Sequence, residues 1–171
     1  VHQDIFTQLD FNTTVRLQDN ISRRFDEWFS ALSIIGNFEV MFIILLVVLI
    51  IRRKIWGIIS IFSFGLFHFI ELFGKFKVSH PPPPEFMIRT EKLIDFPQFY
   101  VRSEFSYPSG HAGRTAFLSV LIGLLVLKSK KFSQTQKLLI ISILVIFDIA
   151  MFISRIYLGE HWISDVIGGV L

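Results

Sequence analysis

The sequence predicts an all-α integral membrane protein, a helical bundle of about five spans with an interfacial amphipathic helix at its N-terminal end. Three observations carry that prediction. Of the 171 residues, 52% are hydrophobic and 20 are Phe, a composition foreign to an ordinary soluble domain. The apolar residues gather into blocks of roughly 20, the length of helix that crosses about 30 Å of hydrocarbon. Lysines and arginines stand at the ends of those blocks, as Arg52-Arg53-Lys54 and Lys128-Ser129-Lys130-Lys131.

The elements follow in order, within a single domain over 1–171. Residues 1–30 mix apolar positions (Ile5, Phe6, Leu9, Val15, Leu17, Ile21, Phe25, Phe29) with Arg16, Arg23, Arg24, Asp26 and Glu27. Such a segment cannot span and reads as a helix at the interface, with Trp28 at headgroup depth. The transmembrane core is read over 31–171. Its first block runs from about Ala31 to Ile51 and its second from about Ile55 to Phe73, before Gly74-Lys75-Phe76-Lys77. A polar loop, about 78–108, opens on Pro81-Pro82-Pro83-Pro84, which must be extended polyproline-like chain. The third block covers about Ser109 to Leu127 and the fourth about Leu138 to Tyr157. A fifth opens near His161 and has only some ten residues before Leu171. A trimmed chain is expected, with a sixth span possible outside it.

The two basic clusters lie in short loops on one side of the membrane, which the positive-inside tendency makes cytoplasmic. Alternation then puts the N-terminal segment, the 78–108 loop and the turn between Tyr157 and His161 together on the extracytoplasmic face, of the plasma membrane by expectation. The formal net charge is +3, but its cations are explained by membrane orientation and no nucleic-acid motif accompanies them, so nucleic acid is not an expected partner. There is no cysteine, which removes thiol catalysis, disulfides and thiolate metal sites.

Two polar stretches carry chemistry: Pro108-Ser109-Gly110-His111, and Ser154-Arg155 followed by His161 and Asp165. His161 and Asp165 are four apart at a helix start, so a carboxylate can orient one imidazole and leave its other nitrogen as a nucleophile. Arg155 precedes them across a turn containing Gly159, where a guanidinium can hold two phosphoryl oxygens. The Ser109 hydroxyl and the Gly110 and His111 N–H groups fall at a helix N-terminus, which favours anions. His111, on the same turn, suits a general acid toward a departing oxygen. Phosphoryl transfer without a metal or other cofactor fits this set. No histidine pair has the spacing of a zinc site.

These stretches resemble two signatures of the type 2 phosphatidic acid phosphatase (PAP2) superfamily of membrane lipid phosphatases, Pro-Ser-Gly-His and Ser-Arg-x5-His-x3-Asp, with every spacing intact. The similarity covers roughly Ile55 to the end. It implies His161 as a nucleophile forming a phosphohistidine, Asp165 as its partner, His111 as general acid, and Lys75, Ser109, Gly110 and Arg155 as phosphate ligands. The family's first signature, Lys-x6-Arg-Pro, is altered: Lys75 and Pro83 are in place, but Pro82 stands where arginine belongs. Arg114, three residues after His111, is the expected substitute, with Arg89, Arg102 and His80 as alternatives. Glu71 and Asp148 are expected to pair with Lys75, Arg155 or polar backbone beneath the site, His68 and Glu39 to be packed or interfacial, and His80 to be a solvated loop residue. The implied partners are membrane lipids and a lipid phosphate substrate such as phosphatidate, phosphatidylglycerol phosphate or a polyprenyl (undecaprenyl) diphosphate. Phosphotransfer to an alcohol and a non-catalytic scaffold are the rival readings; a soluble haloperoxidase with the same pocket is remote from such apolar spans.

Overall fold

The structure is a computed structural model that describes residues 2–52, 55–91 and 105–171, with side chains described over 7–47, 57–91 and 105–171. Seven α-helices lie in the described residues: α1 (His2–Asn20), α2 (Asp26–Ile35), α3 (Phe38–Arg52), α4 (Ile55–Lys77), α5 (Gly110–Lys128), α6 (Gln134–Tyr157) and α7 (Ile163–Val170). No strand occurs among them.

Three of the helices, α4, α5 and α6, are long and apolar enough to cross a membrane, and the pair α2 and α3 forms a fourth candidate bent by 49°. The large outward side chains agree with this: Phe62 on α4 is 74% exposed and Ile146 on α6 is 66% exposed. Such faces are stable against lipid, where no water is excluded by contact with another helix. The chain is an integral membrane protein. Among the described residues, then, three helices, or four with the bent pair, pass as spans, where the sequence predicts about five; the first block is interrupted, and α7, read as the opening of a fifth, comprises Ile163–Val170.

That interruption is the principal correction to the reading of one continuous helix over about 31–51. Gly36 and Asn37 lie between α2 and α3, and both are bonded to α5. The Gly36 carbonyl accepts from Arg114 Nε at 3.0 Å, and Asn37 bonds the His111 ring. A Cβ on Gly36 would stand 2.7 Å from His111 Cδ2, so a bulkier residue would force the two elements apart. The Gly36 carbonyl, which a continuous ladder would have used internally, is spent on α5 instead.

A core of Met41, Leu45, Phe64 and Leu118 joins α3, α4 and α5, with Phe38, Phe117 and Leu121 packed against it. A second cluster, Ala112, Ile156 and Val166, joins α5, α6 and α7, with Leu17 of α1 covering it. The α5–α6 loop is closed by a capping box between Ser133 and Gln136, and Lys137 Nζ donates to the Leu127 carbonyl at 2.9 Å. Midway along the two helices Ser119 Oγ donates to Asp148 Oδ1 at 2.9 Å. Asp148 thus serves as an interhelical clamp, not as the partner of Arg155 or Lys75 that the sequence led one to expect.

The N-terminal segment also departs from expectation. It is not one interfacial helix ending near Ser30: α1 stops at Asn20, and Trp28 falls within α2. Asp10 and Thr14 of α1 are buried, and α1 packs against α6 and α7. Gln18 Nε2 donates to the carbonyls of Met87 at 2.7 Å and Tyr157 at 2.8 Å. Gln18 with these two carbonyls, and Asp10 with Ser164 of α7, tie α1 to the bundle.

Candidate active site

The C-terminal ends of α4 and α6 and the N-terminal ends of α5 and α7 meet at one end of the bundle, and the two signature stretches meet there with them. The contact is direct, since the Ser109 N–H donates to the Asp165 carbonyl at 2.9 Å. Small residues permit it: a Cβ on Gly169 would lie 2.3 Å from the Ser109 carbonyl oxygen, and one on Gly113 would lie 2.3 Å from that of Gly169. Without side chains at those two positions, α7 reaches the first turn of α5.

The turn after α6 sets the spacing between Arg155 and His161. Gly159 has φ +69°, the left-handed region that glycine adopts without a Cβ penalty. The chain then folds back so that the N–H groups of Glu160 and His161 both donate to the Arg155 carbonyl at 3.2 Å. The Arg155 carbonyl thereby ties the His161 backbone to the end of α6.

His161 is 9% exposed and its Nδ1 lies 3.6 Å from Asp165 Oδ2. That distance marks an electrostatic pairing, longer than a hydrogen bond. Burial, reinforced by the positive charges of Arg155 and Lys75, holds the imidazole below its ordinary value despite the opposing pull of Asp165. For Asp165, burial pushes the carboxyl upward but is outweighed by His161, the Trp162 N–H and His80, so it titrates below the usual carboxylate range. Asp165 Oδ2 accepts the Trp162 N–H at 2.9 Å and Oδ1 pairs with His80 Nδ1 at 2.7 Å.

His80 is thus not the solvated loop residue expected from sequence. It lies between two carboxylates, with Nε2 3.7 Å from Asp10 Oδ2. Asp10 in turn accepts from Ser164 N at 2.9 Å and Ser164 Oγ at 2.7 Å, fixing the first turn of α7. The extended Pro81–Pro84 chain agrees with the expectation and is pinned by Trp162 Nε1, which donates to the Pro81 carbonyl at 2.8 Å.

Of the other sequence-predicted residues, Ser109 is fully buried and its Oγ has no hydrogen-bond partner among the described residues. Gly110 packs against the Glu71 and Arg114 side chains. His111 bonds Asn37 through Nε2 at 2.9 Å, and Arg155, Arg114, His161 and Lys75 are all near enough to act on it electrostatically. Lys75, half-buried in the last turn of α4, lies within electrostatic reach of Glu71, Arg114 and Asp165. Arg155 is fully buried, with Nη1 donating to Ser33 Oγ and Nη2 paired with Glu160 Oε2.

Arg114 is placed differently from the replacement ligand read from the sequence. Its Nη1 donates to Glu71 Oε1 at 3.0 Å and Oε2 at 2.8 Å, while Nε is held by Gly36. Glu71, which also bonds His68 Nδ1 at 3.1 Å, therefore neutralises the cation expected to serve phosphate. Arg89 is likewise engaged, donating to Tyr157 Oη at 3.2 Å with its guanidinium 5.1 Å from the centre of that ring. Arg102 lies outside the described residues.

Sequence reasoning missed Asp10, Ser33, Asn37 and Glu160. A Gly-Asn pair inside an apolar run is a breaker signal that would have located Asn37. Nothing in the pattern around Asp10 or Ser33 distinguishes either from an ordinary helix-surface residue.

Fold and site together define a helical membrane protein with a buried histidine, arginine and carboxylate centre at one end of its bundle. The family model of the PAP2 superfamily matches residues 56–171, and the chain belongs to that superfamily. It is 29% identical over 118 residues to phosphatidylglycerophosphatase B of Bacillus subtilis (strain 168), a match covering 68% of this chain and 53% of the relative. The chain thus spans about half the length of that curated protein. Among solved structures, it is similar to the transmembrane PAP2 type phosphatidylglycerolphosphate phosphatase from Bacillus subtilis, with TM-score 0.75, 19% identity, and coverage of 96% of this chain and 78% of the other. It is also similar to Aquifex aeolicus LpxE, with TM-score 0.69, 20% identity, and coverage of 95% and 88%. These structural likenesses carry the fold.

Proposed function

We propose that the protein removes phosphate from a lipid phosphomonoester or diphosphate through a phosphohistidine on His161. The observation that carries this reading is the junction of the two signature stretches at the Ser109–Asp165 contact, which brings His111 and His161 to one end of the bundle. His161 Nδ1 faces Asp165, so Nε2 attacks phosphorus. Lys75, Arg155, Ser109 and the Gly110 backbone receive the phosphoryl oxygens, and their preorganised charge stabilises the transferring group without a metal ion. Glu160 yields the Arg155 guanidinium as that group arrives. His111 protonates the leaving oxygen, then activates the water that hydrolyses the phosphoenzyme.

Family membership, the 29%-identical phosphatidylglycerophosphatase and the exposed apolar faces of α4 and α6 support a lipid substrate whose chains stay among the helices. Phosphatidate, phosphatidylglycerol phosphate and undecaprenyl diphosphate are the candidates. The site opens on the extracytoplasmic face of the plasma membrane, opposite the basic loops. The test is phosphate release by the purified full chain in mixed micelles across those three lipids. Release from at least one, abolished in His161→Ala, is expected; release that survives His161→Ala overturns the proposal.

A further inference from the structure

We propose that Asn37 is the positioning residue for His111, fixing its Nδ1 as the nitrogen that exchanges the proton with the leaving group. This rests on the phosphatase reading above and assigns a role to the break between α2 and α3. Asn37 Oδ1 lies 2.9 Å from His111 Nε2. An amide oxygen only accepts, so the proton on Nε2 stays there in both the charged and the neutral imidazole, and Nδ1 is the nitrogen whose proton changes hands.

The backbone around Asn37 is fixed on both sides. Its N–H donates to the Ile34 carbonyl at 3.2 Å and its carbonyl accepts from Met41 N at 3.1 Å. Neighbouring Gly36 lies against the edge of the His111 ring and accepts from Arg114 Nε. Arg114, one turn beyond His111 on α5, is clamped in turn by Glu71. The imidazole is thus held by a hydrogen bond at one nitrogen, by a close-packed glycine at its edge, and through a shared helix turn. The Gly36 carbonyl that holds Arg114 is open to it where the helix breaks, whereas in a continuous helix it would be committed internally.

The proton and electron balance is complete with these groups. As His161 Nε2 forms its bond to phosphorus, the P–O bond to the leaving group breaks and that oxygen takes the proton from His111 Nδ1. The imidazole left behind keeps its remaining proton on Nε2, against Asn37. Water then bonds to phosphorus and gives a proton to Nδ1, while the P–N bond breaks and its electron pair returns to His161.

A leaving-group comparison on the purified full chain tests this, because a nitrophenolate departs without protonation whereas an alkoxide does not. The quantity read is kcat/KM, which reports the phosphoryl-transfer half alone, for a short-chain alkyl lipid phosphate and for p-nitrophenyl phosphate. Asn37→Ala should lower the alkyl-to-aryl ratio by about a hundredfold, the usual range for a displaced general acid. Asn37→Ser, too short to reach the ring yet well suited to precede a helix, should lower it similarly and guards against a folding failure of the alanine variant. Asn37→Asp, which retains an acceptor oxygen at the same reach, should recover part of the ratio. A ratio unchanged in Asn37→Ser, whether both rates fall together or neither falls, overturns the assignment. His161→Ala measured alongside separates the two levels: turnover persisting on both substrates sinks the phosphatase reading and this inference with it. Its loss on both, with an unchanged ratio in Asn37→Ser, sinks the inference alone.

Discussion

At the scale of single residues, the site depends on how Asp165 divides its carboxylate. One oxygen bonds His80 at 2.7 Å; the other takes the Trp162 N–H and faces His161 Nδ1 at 3.6 Å. In the proposed mechanism His161 must be neutral to attack, and burial holds its imidazole below the ordinary value of about 6.5. The acid limb of kcat/KM should therefore lie below that pH. Asp165 is the contact that pulls the imidazole upward, so Asp165→Asn should shift the limb further to acid while lowering the plateau. A limb that moves toward alkaline pH in Asp165→Asn contradicts this arrangement, and a pH–rate profile of both proteins decides it. The His161–Asp165 pairing was legible from spacing alone, because i and i+4 share a helix face. The His80 contact was not: it joins residues 85 positions apart, and no local pattern encodes a loop folding back onto a carboxylate.

At the scale of elements, the approach of α7 to α5 brings the two histidine stretches together. Gly169 stands opposite the Ser109 carbonyl with room for hydrogen only. Gly169→Ala should displace backbone, since the obstructing atom belongs to a peptide and not to a flexible side-chain end. The expected cost is about 1–3 kcal/mol of stability, with turnover falling more than tenfold because Ser109 and Asp165 separate. Thermal unfolding and phosphate release measure the two effects, and wild-type values for both would show that the helices need no such approach.

The same scale explains what hydropathy conceals. The spans α4, α5 and α6 were readable because each is an apolar run with basic residues at one end. The α2–α3 break was not read, because Gly36 and Asn37 interrupt the apolar run over only two positions. Its cause lies in α5, where His111 and Arg114 present the groups that Asn37 and Gly36 satisfy.

For the whole molecule, the bundle is apolar along its length and polar at one end, where ions are paired inside the protein. Arg114 with Glu71 illustrates the principle that an ionisable group within a span is tolerated when a partner satisfies it. Arg114, the expected replacement for the missing arginine of the first signature, is engaged by Glu71 and Gly36, and the proposed mechanism assigns the phosphoryl oxygens to Lys75, Arg155, Ser109 and the Gly110 backbone. The N-terminal segment, assigned to the interface by composition, closes this end from above through Asp10 and Gln18. Its role could not be read from sequence because its inward polar residues resemble those of a solvated face.

The most direct measurement is to trap the phosphoenzyme. Purified protein mixed with a lipid phosphate, quenched within the first turnover under alkaline conditions and mapped by mass spectrometry, should carry phosphate on His161 and lose it in His161→Ala. Phosphate on another residue, or full turnover with no covalent phosphate at any time after mixing, would contradict the mechanism proposed for this chain.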